Sequence, residues 1–161
     1  MIRLLRMRAE AFSGFIKQAI ESSLDDIEGL NRWPKTESLE LAQAEIKRLL
    51  PQGLSTPNNI FLEIVENDSK SAIGFICVSL GSRGSEQIAF IHQLFIYPQH
   101  RRQGHARATL EAIEAALLAR GVAAIVLHVF NSNKTAQQLY ATAGYEVASL
   151  NLQKKLAQPA G

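Results

Sequence analysis

The sequence predicts an α/β (α+β) sandwich, in which helices flank a central mixed sheet that is mostly antiparallel. Strand-like runs follow one another between residues 60 and 97 with short polar turns between them, which is typical of an antiparallel meander. An amphipathic segment of helical length then leads to another β-rich run, and this order predicts a parallel crossover. Helical periodicity also precedes the meander, between residues 9 and 50.

Composition places the chain among globular proteins and excludes several other classes. The 161 residues are most simply one domain, residues 1–161, with a frayed tail at 157–161. A net charge of +2, without a basic block that carries aromatic residues, argues against nucleic acid. No apolar run reaches the ~20 residues of a membrane helix, and the histidines lack metal-ligand spacing. Cys77 is the one cysteine, so no internal disulfide can form and we expect a cytoplasmic protein. We expect a monomer or homodimer without a metal.

The first third of the chain predicts one strand and two helices. Residues 2–8 alternate arginine with apolar residues, as an edge strand does. Apolar residues at helical spacing then predict a helix over 9–24 and another over 38–50, with a polar, broken stretch at 25–34 between them. Pro51-Gln52-Gly53 ends the second helix.

The rest of the chain predicts the sheet and two more helices. The elements in order are strands at 60–66, 72–80 and 88–97, a long helix from about 105, a strand at 123–129, a helix at 131–143 and a final strand at 145–156. A turn at 67–70 and a loose loop at 81–85 separate the first three strands. The strand at 123–129 should lie parallel to the strand that precedes the long helix.

A short basic turn, residues 101–106, joins the buried strand at 88–97 to the long helix. Pro98 ends the strand because it has no N–H to donate. The first turn of a helix has unpaired N–H groups and a partial positive charge, so it binds anions, and Gly104 lets the backbone come close to a bulky one. The turn therefore favours a phosphate or pyrophosphate site. A plain connection with surface arginines would show the same residues.

A second patterned stretch covers residues 127–145. Asn133 can cap the helix that follows it. Leu139 and Tyr140 belong to one apolar face of that helix, and Gly144 can end it in a left-handed conformation. By itself, Tyr140 on such a face would be read as an aromatic core residue.

Together these two stretches resemble the acetyl-coenzyme A motifs of the GNAT acetyltransferase superfamily. The first motif, Arg/Gln-x-x-Gly-x-Gly/Ala, is matched by Arg101, Gly104 and Ala106. The second, which follows the fifth strand of that family, is matched by Val129, Asn133, Ala136, Leu139, Tyr140, Gly144 and Tyr145. The run from Leu49 to Pro57 is also similar to a subset of bacterial GNAT proteins.

The resemblance implies the GNAT fold and a site for acetyl-CoA, used as a cosubstrate. In this fold the fourth and fifth strands, here 88–96 and 123–129, splay apart, and the pantetheine lies between them like an added strand. Backbone N–H groups would hold the thioester carbonyl, and the pyrophosphate would rest on the turn. The implied cofactor-binding residues are Leu94, Phe95, Ile96, Arg101, Arg102, Gln103, Gly104, His105, Ala106, Asn133, Ala136 and Tyr140.

The implied reaction is direct attack of a primary amine, on a small molecule or a peptide, on the thioester in a ternary complex. Tyr140 would give a proton to the leaving thiolate. Many relatives place a carboxylate on the fourth strand, where this chain has His92 and Gln93. His92 can act as a base near pH 7, whereas Gln93 can only order a water. Alternation places the two on opposite faces, so at most one lines the site unless the strand has a bulge.

Other readings stay open at this stage. Trp33 is a rigid aromatic residue that would suit the wall of an amine pocket, and His105 is expected to cover the cofactor. The missing carboxylate is compatible with a catalytically silent GNAT domain that binds acyl-CoA as a sensor or scaffold. A nucleotide-binding regulator that uses the arginine-rich turn is a third idea, but the lysine pattern of a P-loop is absent.

Overall fold

The computed structural model describes residues 1–159 and contains a five-stranded mixed sheet between helices. The strands lie in chain order, antiparallel except for the parallel last pair, and the predicted fold class is confirmed. None of the helices in this part of the chain is long and apolar enough to span a membrane. The elements are β1 Ile2–Arg6, α1 Ala9–Gly29, α2 Lys35–Leu49, β2 Asn59–Glu66, β3 Ala72–Arg83, β4 Glu86–Ile96, α3 His105–Ala119, β5 Val122–Leu127 and α4 Lys134–Thr142.

The central strand β3 contributes to a separate core on each face of the sheet, because successive side chains of a strand point to opposite sides. Ile76 packs against Leu110 of α3 on one face. Phe75 and Cys77 pack against Phe15 of α1 on the other. Burial raises the pKa of the Cys77 thiol to about 12, so this cysteine is a core residue and not a nucleophile.

A bulge interrupts β4 where it faces β3. Gln93 pairs with Cys77 and Ile91 pairs with Val78, so His92 is an extra residue with no partner across the ladder. The parallel ladder between β4 and β5 ends nearby, at the pair of Ile91 and Leu127. Beyond it β4 continues to Ile96 without a strand on that side, in the part of the chain that the structure describes. The two parallel strands are therefore separated by an opening beyond Ile91 and Leu127.

Two predicted boundaries are wrong. Helix α1 continues to Gly29 into the stretch 25–34 that was predicted to be broken, and Asp26 in this stretch is half-buried. Strand β3 continues to Arg83, and Gly84, with φ of 57°, makes a tight turn where a loose loop was predicted. Pairing with β4 therefore extends β3 beyond the point at which its hydrophobic pattern stops.

The predicted final strand at 145–156 is also wrong. The structure has no strand in this segment, whose larger apolar side chains are exposed: Val147 by 79%, Leu150 by 76%, Leu152 by 92% and Leu156 by 69%. A strand needs a neighbour that completes its hydrogen bonds, and no strand of the same chain pairs with this segment over residues 1–159. Residues 160 and 161 of the predicted tail lie outside the described residues.

Candidate active site

The turn before α3, residues 101–104, contains two residues with a left-handed backbone. Arg102 and Gly104 have φ of 61° and 81°, both in the left-handed region. Alternation of left-handed residues in a turn directs successive amides inward. Helix α3 begins at His105, and its N-cap residue makes no side-chain hydrogen bond, so the first N–H groups of the helix have no partner within it. This geometry suits a phosphate or another anion.

Two arginine side chains connect this turn and the start of α3 to neighbouring elements. Arg101 Nε donates to the carbonyl of Ile96, with 2.8 Å between the atoms, and its guanidinium lies 5.0 Å above the Phe95 ring. Arg107 donates to Thr142, near the end of α4. The turn is therefore fixed to β4 on one side and to α4 on the other. Arg102 and Gln103 are exposed, and their side chains are open to solvent.

The expectation that the His105 side chain covers a cofactor is wrong. The side chain is only 7% exposed and lies beneath the start of α3, facing β2. Its Nε2 is 3.2 Å from Oε1 of Glu66, although the two groups are not aligned for a hydrogen bond. Only the backbone of His105 faces the anion-binding turn, because the helix directs the side chain inward.

Helix α4 places the second motif beside the sheet. Asn133 Oδ1 accepts a hydrogen bond from Ala136 N at 3.2 Å, which confirms the predicted cap. Tyr140 is half-buried and its ring centroid lies 5.6 Å from that of Tyr145. Burial raises the pKa of Tyr140, so its hydroxyl keeps its proton at neutral pH. The Tyr145 hydroxyl, in contrast, donates a hydrogen bond to Glu114 Oε1 at 3.0 Å.

The three residues predicted to meet the thioester lie on β4 beyond the end of the β5 ladder. Their side chains alternate between the two cores: Leu94 and Ile96 pack on the side of α3 and the neighbouring β2, whereas Phe95 packs on the side of α1. The side chains are thereby used for packing. Only their backbone groups are left to meet a ligand in the opening between β4 and β5.

The bulge brings His92 and Gln93 to the same face of the sheet, which regular alternation would have prevented. Both line a cavity of about 30 Å³ between β4 and the two N-terminal helices, together with residues such as Ile46 of α2. His92 Nε2 lies 2.6 Å from Ser79 Oγ of β3. Sequence reasoning missed Ser79, whose one signal is a hydroxyl in an otherwise apolar strand. The bulge could not be predicted because it depends on pairing with β3.

Two charged residues of α2 set the electrostatics of His92. Much of the His92 side chain is open to solvent. Partial burial of the ring lowers the pKa of His92, and the positive charge of Arg48 lowers it further. The negative charge of Glu45 raises the same pKa. Glu45 and Arg48 pair with each other at 2.7 Å. His92 is therefore a neutral imidazole at pH 7, with a lone pair that can take a proton.

Trp33 lies in the connection between α1 and α2, where its ring is half-buried and 5.0 Å from the Arg32 guanidinium. Acidic residues sit at the adjacent end of α1. Burial and the neighbouring Asp25 raise the pKa of Asp26, and His128 at the end of β5 lowers it. The acidic end of α1 is therefore close enough to the end of β5 for His128 to act on Asp26. Over residues 1–159, no three His, Cys, Asp or Glu side chains converge as metal ligands would.

Comparisons with known proteins agree with this geometry. The family model described as "Acetyltransferase (GNAT) family" matches residues 22–145. The chain is 27% identical to the N-acetyltransferase YycN of Bacillus subtilis over 155 residues, which cover 96% of this chain and 99% of that protein. It is 25% identical to the N-acetyltransferase YdgE of the same organism, over 93% of this chain and 95% of the relative. The crystal structure of YycN superimposes with a TM-score of 0.90 at 26% identity, covering 98% of this chain and all of that one. The chain therefore belongs to the GNAT family of acetyltransferases.

Proposed function

We propose that the protein transfers the acetyl group of acetyl-CoA to a primary amine of a small molecule or peptide, by direct attack in a ternary complex. One observation carries the proposal. The parallel ladder stops at Ile91 and Leu127, and the strand that continues past this point, β4, leads directly into the anion-binding turn at 101–106. An opening that exposes strand backbone at one end and helix N–H groups at the other fits a thioester joined to a diphosphate.

Residues of both motifs would hold the cosubstrate. The amides of Gln103 to Ala106 would bind the pyrophosphate, with Arg101 and Arg102 adding positive charge. Backbone groups of Leu94 to Ile96 would pair with the pantetheine and stabilise negative charge on the thioester oxygen. Asn133 and Ala136, at the start of α4, would border the same opening.

The amine must lose a proton before it attacks. An alkylammonium group with a pKa of ~10.4 is mostly protonated at pH 7, and neutralising it costs about 4–5 kcal/mol. We assign His92 as the acceptor of that proton, because its imidazole is neutral at this pH. If Nε2–H donates to Ser79 Oγ, the lone pair of Nδ1 stays free. Gln93 lines the same cavity, whose volume is close to that of one water, and would hold a relaying water.

Tyr140 would complete the proton balance. As the amine nitrogen forms its bond to the acetyl carbon, the carbon–sulfur bond breaks and leaves a thiolate with a pKa near 8.5. The phenol of Tyr140 keeps its proton at neutral pH because burial raises its pKa. Within residues 1–159, the Tyr140 hydroxyl makes no hydrogen bond. It is therefore free to donate to the departing sulfur.

The test is acetyl transfer to a panel of amines, followed by release of the coenzyme A thiol. We expect Tyr140→Phe to lower kcat by about 10²-fold or more while the affinity for acetyl-CoA, measured by calorimetry, stays within a factor of three or so. Tyr145→Phe is the matched control: it removes the same atom from the adjacent ring, whose hydroxyl is held by Glu114, and should retain kcat.

The competing hypothesis is a silent domain that binds acyl-CoA as a sensor. It is favoured by the absence of a carboxylate at His92 and Gln93. If acetyl-CoA binds tightly but no amine releases thiol above the uncatalysed rate, the sensor hypothesis replaces the enzyme. If Tyr140→Phe and Tyr145→Phe turn over equally, Tyr140 is not the proton donor.

A further inference from the structure

The side chain of His105 is a buried polar group without a hydrogen-bond partner. It is 7% exposed, and within residues 1–159 neither Nδ1 nor Nε2 of its ring makes a hydrogen bond. Buried polar atoms in folded proteins nearly always have a partner, because water no longer provides one. The free protein therefore holds this ring in a state that a change of its protonation could improve.

One carboxylate lies within reach of the ring. Oε1 of Glu66, the last residue of β2, is 3.2 Å from Nε2 of His105 but is not aligned for a hydrogen bond. A ring with protons on both nitrogens can donate Nε2–H to a carboxylate as a charge-assisted hydrogen bond, which is stronger than a bond from a neutral ring. Glu66 thus provides a counterion for a charged His105.

The other groups around the start of α3 are apolar or directed elsewhere. The neighbours of Glu66 on this face of the sheet are the apolar residues Ile2, Ile64, Ile73 and Ile96. The nearby arginines are engaged with other partners, namely Arg101 with the Phe95 ring, Arg107 with Thr142 and Arg102 with solvent. His100, which precedes the turn, makes no ion pair within residues 1–159. In the same range, Glu66 is the one charged group within 4 Å of His105 in an ion-pair contact.

The same residue begins the helix at the anion-binding turn. Helix α3 starts at His105, and the backbone N–H of His105 is among the amides that would bind the pyrophosphate. The N-terminus of a helix carries a partial positive charge, which opposes another positive charge beside it. A bound diphosphate brings negative charge to this point, and a nearby negative charge favours the charged form of an imidazole. The ligand and a proton on His105 should therefore strengthen each other's binding.

We propose, on the basis of the proposed function, that His105 is a positioning residue for the diphosphate of acyl-CoA, whose ring takes up a proton from solvent as the diphosphate binds and then pairs with Glu66. The proton becomes the second N–H of the imidazole, so the complex gains one positive charge beneath the turn. This charge attracts the diphosphate through a short distance without contacting it. Because the coupling is reciprocal, acyl-CoA binds more tightly as the pH falls.

The first experiment measures by calorimetry the protons that accompany binding. Dephospho-CoA is the probe, because it keeps the diphosphate but lacks the 3′-phosphate, a group that itself titrates at a pH of ~6. Titrations at neutral pH in buffers of different ionisation enthalpy give the number of protons taken up per ligand bound. We expect the parent to take up a measurable fraction of a proton, His105→Gln to take up none, and Glu66→Gln to take up less than the parent.

His100→Gln is the matched control for this measurement. It removes an ionisable ring that lies close in sequence but makes no ion pair with Glu66, so it should keep the uptake of the parent. The Kd of the parent for dephospho-CoA should also fall about fivefold or more between about pH 8 and pH 6, whereas that of His105→Gln should change by less than about twofold.

The second experiment observes the ring in the parent protein, so it decides the matter even if His105→Gln folds poorly. The two ¹⁵N chemical shifts of a charged imidazole are nearly equal, whereas those of a neutral imidazole differ widely. In protein with ¹⁵N-labelled histidine, the His105 ring, assigned through its own backbone amide, should move to the charged pattern when dephospho-CoA is added at constant pH. The other three histidines serve as internal references.

Three results would overturn the inference and leave acetyl transfer standing. They are binding of dephospho-CoA without proton uptake, uptake that His105→Gln retains, and a His105 ring whose protonation does not change on binding. A chain that binds neither coenzyme A nor dephospho-CoA would overturn the proposed function together with this inference.

Discussion

At the scale of single residues, the proposal that His92 takes the proton of the amine predicts a particular dependence of the rate on pH. If His92 is the base, kcat/KM falls on the acidic side of its pKa, which lies below the ordinary 6.5 because of partial burial and Arg48. Arg48→Gln removes the positive charge and frees Glu45, and both changes raise the pKa of His92. We therefore expect the acidic limb of the pH profile to move to higher pH in Arg48→Gln.

The profile is measured as kcat/KM for the amine between pH 5 and 9, roughly the range over which histidine titrates. Lys47→Gln is the control, since it removes a neighbouring cation of α2 that does not act on His92. Ser79→Ala should lower kcat while the KM for acetyl-CoA stays the same, because Ser79 positions the ring. An acidic limb that is identical in Arg48→Gln and the parent would exclude His92 as the base.

Residue-level predictions from sequence were accurate where the cause is local. The cap at Asn133 and the left-handed Gly144, with φ of 95°, follow from residues within one helical turn, and both are confirmed. The burial of His105 was missed because its side chain lies near the end of β2, which is far away in sequence. Ser79 was missed for the same reason: its partner His92 is on the next strand, across a bulge.

At the scale of elements, a carboxylate on β2 fixes the start of α1. Glu63 is 6% exposed and accepts bonds from both the backbone N–H and the guanidinium of Arg8, at 3.0–3.2 Å. It thereby satisfies the N-terminus of the helix with a negative charge. We expect Glu63→Gln to lower the free energy of unfolding by about 1–2 kcal/mol, discounted for the exposed Arg8, as measured by urea denaturation.

The sign of the pH dependence follows from the same contact. Hydrogen bonding to Arg8 lowers the pKa of Glu63 below its ordinary 4.5, so its stabilisation is present above that pH and is lost as the pH falls. The parent should therefore lose its advantage over Glu63→Gln in acid. Glu10→Gln is the control, because Glu10 also pairs with Arg8 but is 72% exposed. Equal losses in the two variants at pH 7 would show that burial of Glu63 adds nothing.

Element order was predictable because each connection limits what can follow it. Turn-forming residues and hydrophobic periodicity predicted the meander, the parallel crossover and the basic turn at 101–106. The failure at 145–156 has a different cause. Alternation there indicates a strand, but pattern alone cannot say which chain supplies its partner. Over residues 1–159, no strand pairs with this segment.

At the scale of the whole molecule, the opening between β4 and β5 predicts that coenzyme A stabilises the native state. A ligand that binds only the folded chain adds about 2.7 kcal/mol at a concentration of 100 times its Kd. For a chain of this size the melting temperature should then rise by about 5–10 °C. ATP shares the phosphates but lacks the pantetheine that would pair with β4, so it should raise the melting temperature much less at equal concentration.

Two glycines at opposite ends of α3 provide the matched control for that measurement. Gly104 and Gly121 have φ of 81° and 82°, and in each case an added Cβ would meet no atom within 4 Å. Alanine at either position should therefore destabilise the free protein equally, by about 1–2 kcal/mol of backbone strain. Only Gly104 lies in the anion-binding turn, so Gly104→Ala alone should reduce the rise in melting temperature with coenzyme A. If ATP protects as well as coenzyme A, or if both variants respond to coenzyme A as the parent does, the site between the splayed strands is wrongly assigned.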